Sequence, residues 1–275
     1  MRITVLLENT TCGPSFKCAH GLSLYAETPR HRLLFDAGPN AAFAENADAL
    51  GVSLAEIDTC VLSHGHYDHA GGLPVFLRRN DRAPIYLRAN ALEEYFVDRP
   101  EKRGYIGVPR ELRHAESRVV YTDAVQNLDE ELTLFSDLKT HDFYPTSNHQ
   151  LLHKVGDSFE EDDFTHEQSL ILSAEGKRVL FAGCAHGGIV NILRRAEELA
   201  GGEMDAVFGG FHLIDPGTNS VCAPELIEGV GRELLKREKT VYYTGHCTGE
   251  VPLAQLQDLM GSRVQAFHSG STYEI

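Results

Sequence analysis

One ten-residue segment constrains this chain more than any other: Ser63-His64-Gly65-His66-Tyr67-Asp68-His69-Ala70-Gly71-Gly72, directly after the apolar run Asp58–Ser63. The run is too short for a helix and apolar through its middle, so it reads as a buried strand. Three histidines and an aspartate then fall within six positions. Imidazole nitrogens and a carboxylate are the donors that suit zinc and neighbouring transition ions, and such ions need several donors converging from a rigid base. A strand end supplies that base. The flanking glycines let the backbone turn tightly, so that His64 and His66 can aim at one point and Asp68 and His69 at a second. A solvated, histidine-containing turn accounts for single histidines but not for this cluster.

The same grammar recurs. Cys60–His64, Val179–His186, Ala206–His212 and Val241–His246 each read as an apolar strand, one or more small residues, then histidine. Four such strands side by side and pointing the same way would gather their histidines at one sheet edge, where α/β sites form.

Composition narrows the class. With 275 residues, 42% hydrophobic and 24% charged, the chain has ample material for a buried core and is neither disordered nor fibrous. Its 25 basic against 40 acidic residues leave a formal charge of −15, unsuited to unspecific nucleic-acid binding, which needs many phosphates neutralised at once. No apolar stretch reaches the roughly 18 residues that span a bilayer, and Met1–Glu8 lacks the serial organisation of a signal peptide. The expectation is a cytoplasmic protein acting on a small molecule, without membrane or nucleic-acid partners. The six cysteines show no CxxC pair and read as reduced thiols, with Cys12 and Cys18 the alternative as a bridged or metal-binding pair.

Strand signals run over Arg2–Glu8, Leu22–Glu27, His31–Phe35, Pro84–Arg88, Arg118–Tyr121 and Leu132–Leu138, with a helix from Pro39 to Leu50. From Lys139 to about Thr165 little periodicity is visible, and the acidic run Glu160–Asp163 reads equally as a functional loop or a solvated surface. Gln168–Ser173 and Arg178–Ala182 form a hairpin pattern. Helices over Gly188–Leu199, Pro224–Arg237 and Pro252–Met260 then alternate with strands over Asp205–Phe208 and Thr240–Tyr243, before two short strands at Val264–His268 and Thr272–Ile275. The pattern is mixed α/β, and no linker divides it, so residues 1–275 are expected to form a single domain.

These motifs resemble the metallo-β-lactamase superfamily over nearly the whole chain. His64, His66, Asp68 and His69 match its signature, Leu34-Phe35-Asp36-Ala37-Gly38 its early Asp-x-Gly motif, and His246 its late histidine. Segments around His20–Ser23, Gly183–Asn191 and Gly209–Leu213 are similar to the branch of dihydropterin ribofuranosylaminobenzene-phosphate synthase-like proteins. The resemblance implies a four-layer αββα sandwich and one or two divalent transition ions, zinc first, with manganese or iron as alternatives. The implied ligands are His64, His66, Asp68, His69, His186 and His246. The superfamily usually sets its third histidine before a hairpin and a bridging aspartate after it; here those places hold His166 and Cys184, with His186 two residues on. The strand-end pattern favours His186, with His166 a surface histidine; the alternative is His166 with Cys184 or water as the bridge. Asp36 is expected to orient a ligand histidine. His212 has no vacant ligand role and is expected, with Asp68, to serve catalysis, by binding substrate or moving a proton. His20, His141, His149 and His153 could reach a pocket from loops.

The implied activity is hydrolysis by a metal-activated water, on a phosphorylated or ester-type small molecule. No G-x-S-x-G elbow is present to support acyl-enzyme chemistry. The alternatives are a pterin-related synthase forming a C–N bond, and a redox or ligand-binding protein that keeps the metal cage.

Overall fold

The computed structural model describes residues 1–99, 102–114, 117–215 and 217–275. Its contacts divide the chain into two compact units, neither continuous in sequence. The first comprises Met1–Thr122, Leu152–Gln168 and Phe267–Ile275; the second comprises Asp123–Leu151 and Ser169–Ala266.

The first unit is built on a seven-stranded sheet in the order Thr272–Glu274, Arg2–Leu7, Ser23–Glu27, Arg32–Phe35, Thr59–Val61, Ile85–Leu87, Val119–Tyr121. Neighbours are antiparallel as far as Arg32–Phe35 and parallel from there on. The parallel strands therefore all deliver their C-terminal residues, Asp36 and Ser63-His64 among them, to one edge. Leu34, Cys60, Leu62 and Ile85 pack with Phe43 and Ala47 of the helix Ala42–Ala49 and with Leu73 and Phe76 of the helix Leu73–Arg79. Each such large side chain contributes about 1.5–3 kcal/mol by leaving water. The first helix starts three residues later than Pro39, with Asn40 Oδ1 accepting the Ala42 N–H. Asn46, buried on it, donates to the carbonyls of Leu6 (2.6 Å) and Lys17 (2.9 Å), tying the helix to the sheet's first strand.

The stretch expected to be irregular is not. Leu151–Val155 and Ser158–Glu161 pair as a hairpin and join Tyr95–Val97 and Gly104–Tyr105 in a four-stranded sheet. Its two-residue turn, Gly156-Asp157, uses a glycine at φ +60°, a turn that hairpin twist favours. The strands escaped the hydrophobic pattern because both faces are partly exposed, so no apolar alternation marks them. Phe159 closes the small sheet instead, edge-on to Phe96 at 5.0 Å.

The second unit has its own seven-stranded sheet: Val264–Ala266, Val241–Thr244, Ala206–Gly209, Lys177–Phe181, Ser169–Ala174, Leu132–Phe135, Val125–Asn127. The first four run parallel and the rest antiparallel. Three helices, Ile189–Ala200, Pro224–Leu234 and Glu250–Met260, cover it through Ile192, Leu193, Ile227, Val230 and Leu256. The first of them stops at Gly201, which takes the left-handed conformation and caps with its N–H on the Glu197 carbonyl. Three of the four strands ending in histidine lie side by side here. The fourth, Thr59–Val61, sits in the other sheet, because it pairs with Arg32–Phe35 and Ile85–Leu87. The four therefore do not share one sheet edge.

Strand ends in both units share one strained feature. Asp36 (φ 60°), Ala185 (φ 59°), His212 (φ 48°) and His246 (φ 51°) all adopt left-handed backbone without being glycine. Each costs about 1–2 kcal/mol and persists only where the surroundings fix it. Among the described residues no helix is long and apolar enough to cross a membrane. All six cysteines are free, Cys12 and Cys18 exposed and the other four buried.

Candidate metal centre

In the first unit the site is organised by Asp36, which has no exposure to solvent. Its Oδ1 accepts the Ser63 N–H at 2.7 Å, and its Oδ2 accepts the Ser63 hydroxyl at 2.7 Å. The same Oδ2 lies 2.6 Å from His69 Nδ1. A carboxylate only accepts, so His69 carries its proton on Nδ1. Ser63 gives its one proton to Asp36, and its oxygen, 2.8 Å from His64 Nδ1, must then accept from that ring. One buried carboxylate thus fixes the tautomers of two histidines, leaving the Nε2 lone pair of both as the donor. This is the orienting role expected of Asp36, and it reaches His64 as well as His69 through Ser63.

The segment is clasped by close backbone approaches. A Cβ on Gly72 would lie 2.1 Å from the Ala37 carbonyl oxygen, and one on Gly65 would lie 2.4 Å from that of Ala91. Only glycine allows the His64–Gly72 turn to lie so tightly against Ala37 and Ala91. Asp68 opens the one-turn helix Tyr67–Ala70, with Oδ2 at 3.7 Å from His69 Nε2 and 3.4 Å from His20 Nε2. His20 is therefore a loop histidine that does reach the segment. His141 and His149 are exposed, and His153 pairs with Glu93 at 2.6 Å.

His166 is not a surface histidine: it is 1% exposed. The Gly65 N–H donates to its Nδ1 at 2.9 Å, and its Nε2 meets Asp162 Oδ2 at 3.0 Å. Tyr95 lies against it, ring centroids 4.0 Å apart. Asp162, from the acidic run, is likewise buried, with Oδ2 3.7 Å from His66 Nε2. Burial alone would push its carboxyl up, but His166 and His66 outweigh that and hold it well below the ordinary carboxylate value. Burial lowers His66, against the opposing pull of Asp162. Asp162 and Tyr95 are the site residues that sequence reasoning missed. The signal available was the i, i+4 spacing of Asp162 and His166.

In the second unit, Cys184, His186, His212 and His246 follow the ends of adjacent parallel strands. Cys184 Sγ lies 3.3 Å from His246 Nε2, and both residues are buried. Asn148 donates its amide to the His186 carbonyl (2.8 Å) and presents Oδ1 to His186 Nδ1 (2.9 Å). His186 therefore carries its proton on Nδ1 and keeps Nε2 as a donor to a metal. The His186 and His212 rings are 4.2 Å apart. His212 is 5% exposed, and its donor atom lies within 4.8 Å of the Cys184 and Cys247 thiols. Thr248 accepts the Phe211 N–H at 2.9 Å and bonds Thr244, whose hydroxyl donates to the Gly209 carbonyl at 2.7 Å. That chain of hydroxyls pins the turns bearing His212 and His246 to each other.

The donors suit a borderline-soft divalent ion: Nε2-presenting imidazoles with carboxylate and thiol neighbours, on rigid strand ends and oriented by buried acceptors. Among known proteins, residues 18–228 match the profile of the metallo-beta-lactamase superfamily. An uncharacterized protein of Methanocaldococcus jannaschii is 28% identical over 263 residues, 94% of each chain. The 7,8-dihydropterin-6-methyl-4-(β-D-ribofuranosyl)-aminobenzene-5′-phosphate synthase of the same organism is 29% identical over 259 residues, 85% of this chain and 82% of that one. A crystal structure described as a metal-dependent hydrolase of the β-lactamase superfamily matches with a TM-score of 0.84 at 24% identity, covering 100% of this chain and 99% of that one.

Proposed function

Because the chain belongs to the metallo-β-lactamase superfamily, we propose that it is a metal-dependent hydrolase, acting with a metal-activated water on a phosphorylated or ester-type small molecule. The observation that carries this reading is the Asp36 carboxylate, which sets His64 and His69 with Nε2 outward through hydrogen bonds of 2.6–2.8 Å. A fold does not need three buried donors spent on aiming two histidines; a metal does. The proposed ligands are His64, His66, Asp68, His69, His186 and His246, for one or two divalent ions, zinc first, with manganese or iron as alternatives.

A bound ion of this kind lowers the pKa of its water to about 7 and polarises a carbonyl or phosphoryl oxygen. The chain's own residues do the rest. Asp68 accepts the proton given up by the attacking water, with His20 Nε2 3.4 Å from the same carboxylate to share the charge. His212, set at a strand end, holds substrate or returns a proton to the leaving group.

A second reading is favoured by the 29% identity with the dihydropterin synthase: the same donors would serve C–N bond formation. Products separate the two, since the transferase requires a second substrate and releases diphosphate, whereas the hydrolase requires only water. The test is elemental analysis of the purified protein joined to a screen of phosphodiesters, phosphomonoesters, thioesters and lactams. Turnover that needs the bound metal and no second substrate supports hydrolysis. Less than 0.2 equivalents of metal after reconstitution, a threshold set at about a tenth of a two-ion load, would remove the reading altogether.

A further inference from the structure

His166 offers no nitrogen for a metal without breaking an internal bond. Its Nδ1 accepts the Gly65 N–H at 2.9 Å, and a ring nitrogen that accepts carries no proton. The ring proton therefore sits on Nε2, pointing at Asp162 Oδ2 3.0 Å away. The other oxygen of Asp162 accepts the Phe164 N–H at 2.8 Å, so the carboxylate is fixed from both ends. Its Oδ2 also lies 3.7 Å from His66 Nε2. Tyr95 packs on His166 at 4.0 Å and edge-on to His66 at 5.8 Å, and Phe164 stands edge-on to His66 at 6.4 Å, so aromatic rings wall the three polar groups from water.

We propose that Asp162 and His166 are positioning residues for His66: Asp162 draws the His66 ring proton to Nε2, leaving Nδ1 as its metal-binding nitrogen, and His166 locks Asp162 and the Gly65 backbone in place without touching the ion. The proposal rests on the metal-binding reading of His66 given above. It makes the ligand atom of His66 differ from that of His64 and His69, whose protons sit on Nδ1. Histidines adjacent in a tight turn can converge on one point from opposite ring nitrogens more readily than from the same one, because the two rings approach from different sides of the backbone. His64 and His66 are edge-on at 79°, as that requires.

The test uses zinc-loaded protein with 15N-labelled histidine. Long-range proton–nitrogen spectra report the tautomer of each ring, and His66→Ala identifies the His66 signals. Zinc affinity is measured by competition with a chelator for the parent, Asp162→Asn and His166→Gln. The expected results are an Nε2–H tautomer at His66, an affinity about 10–100-fold weaker in Asp162→Asn, and full zinc stoichiometry in His166→Gln. An Nδ1–H tautomer at His66 in the zinc-loaded parent overturns the proposal while leaving metal binding intact. So does loss of one zinc equivalent in His166→Gln, which would make His166 a ligand. Failure of the parent to bind zinc, manganese or iron overturns the metal-binding reading itself. The tautomer is read in the parent, so a poorly folding Asp162→Asn does not shield the proposal.

Discussion

Replacing Asp36 by asparagine keeps the shape of the side chain and removes its logic. The carboxylate receives three donors: Ser63 N–H on Oδ1, and Ser63 O–H and His69 Nδ1 on Oδ2, at 2.6–2.7 Å. An amide has one oxygen and one NH2 group. With its oxygen toward Ser63 Oγ and His69, its NH2 faces the Ser63 N–H, donor against donor. Turned over, its NH2 faces His69 Nδ1, which must lose its proton to Nε2 and so surrender the nitrogen that would bind the ion. Neither arrangement can be rescued by water, since Asp36, Ser63 and His69 have no exposure. Losing a hydrogen bond to a charged group costs about 1.5–3 kcal/mol and stranding a buried donor about 1–3 kcal/mol, so the variant should lose about 3–5 kcal/mol. Urea unfolding of metal-free parent and variant at neutral pH measures this from the midpoint and slope, and elemental analysis of the same preparations measures the ion. Asp36→Asn is expected to be markedly less stable and to lose metal although it touches none. A loss under about 1 kcal/mol with unchanged metal content would refute the tautomer argument.

Other outcomes follow from the same contacts. Asp68→Asn should lower turnover by about 10²-fold or more, and His212→Ala should weaken turnover without lowering metal content; rates and metal measured on the same samples decide, and metal loss in His212→Ala would make it a ligand. Chelation should lower the melting temperature in proportion to free metal, because the ion binds only the folded state. Asp162 is held below its ordinary value, so it contributes stability above about pH 3.9 that is lost as pH falls through its folded-state value. Acid unfolding of the metal-free protein should accordingly be less steep in Asp162→Asn, and an identical profile would show that the carboxylate is not stabilising. Gly72→Ala puts a Cβ 2.1 Å from the Ala37 carbonyl and should cost about 1–3 kcal/mol in thermal or urea unfolding; a neutral effect would mean the clasp can open.

The parts of this molecule that could be read from its sequence are those in which spacing is itself the physics. The His64–His69 cluster and the apolar strands before His186, His212 and His246 announce themselves because ligand chemistry and strand length leave few other uses for such patterns. Asp36 was legible because it also follows an apolar strand. Asp162 was not: an aspartate inside Glu160-Glu161-Asp162-Asp163 looks like its solvated neighbours, and only the tertiary placement of His66 and His166 selects it for burial. Asn148 was hidden for the same reason, its partner His186 being 38 residues away. The hairpin Leu151–Glu161 was missed because a half-exposed sheet carries no alternation to read. The division of the histidine-bearing strands between two sheets is a matter of which strands pair, and their sequences, alike at their ends, do not encode that choice.

The left-handed residues at the strand ends bear on how this protein can change. Asp36, Ala185, His212 and His246 each hold the chain in a bend that glycine would adopt without strain, so together they withhold several kcal/mol from the folded state. Drift toward greater thermal robustness has an easy route at these positions, through glycine, and three of the four would lose a side chain of the site along it. Ala185 is the exception, having only a methyl group to lose. A lineage released from catalysis would be expected to relax at these bends first, becoming sturdier as its histidines disappear, so the persistence of strain there marks a chain still held to its chemistry.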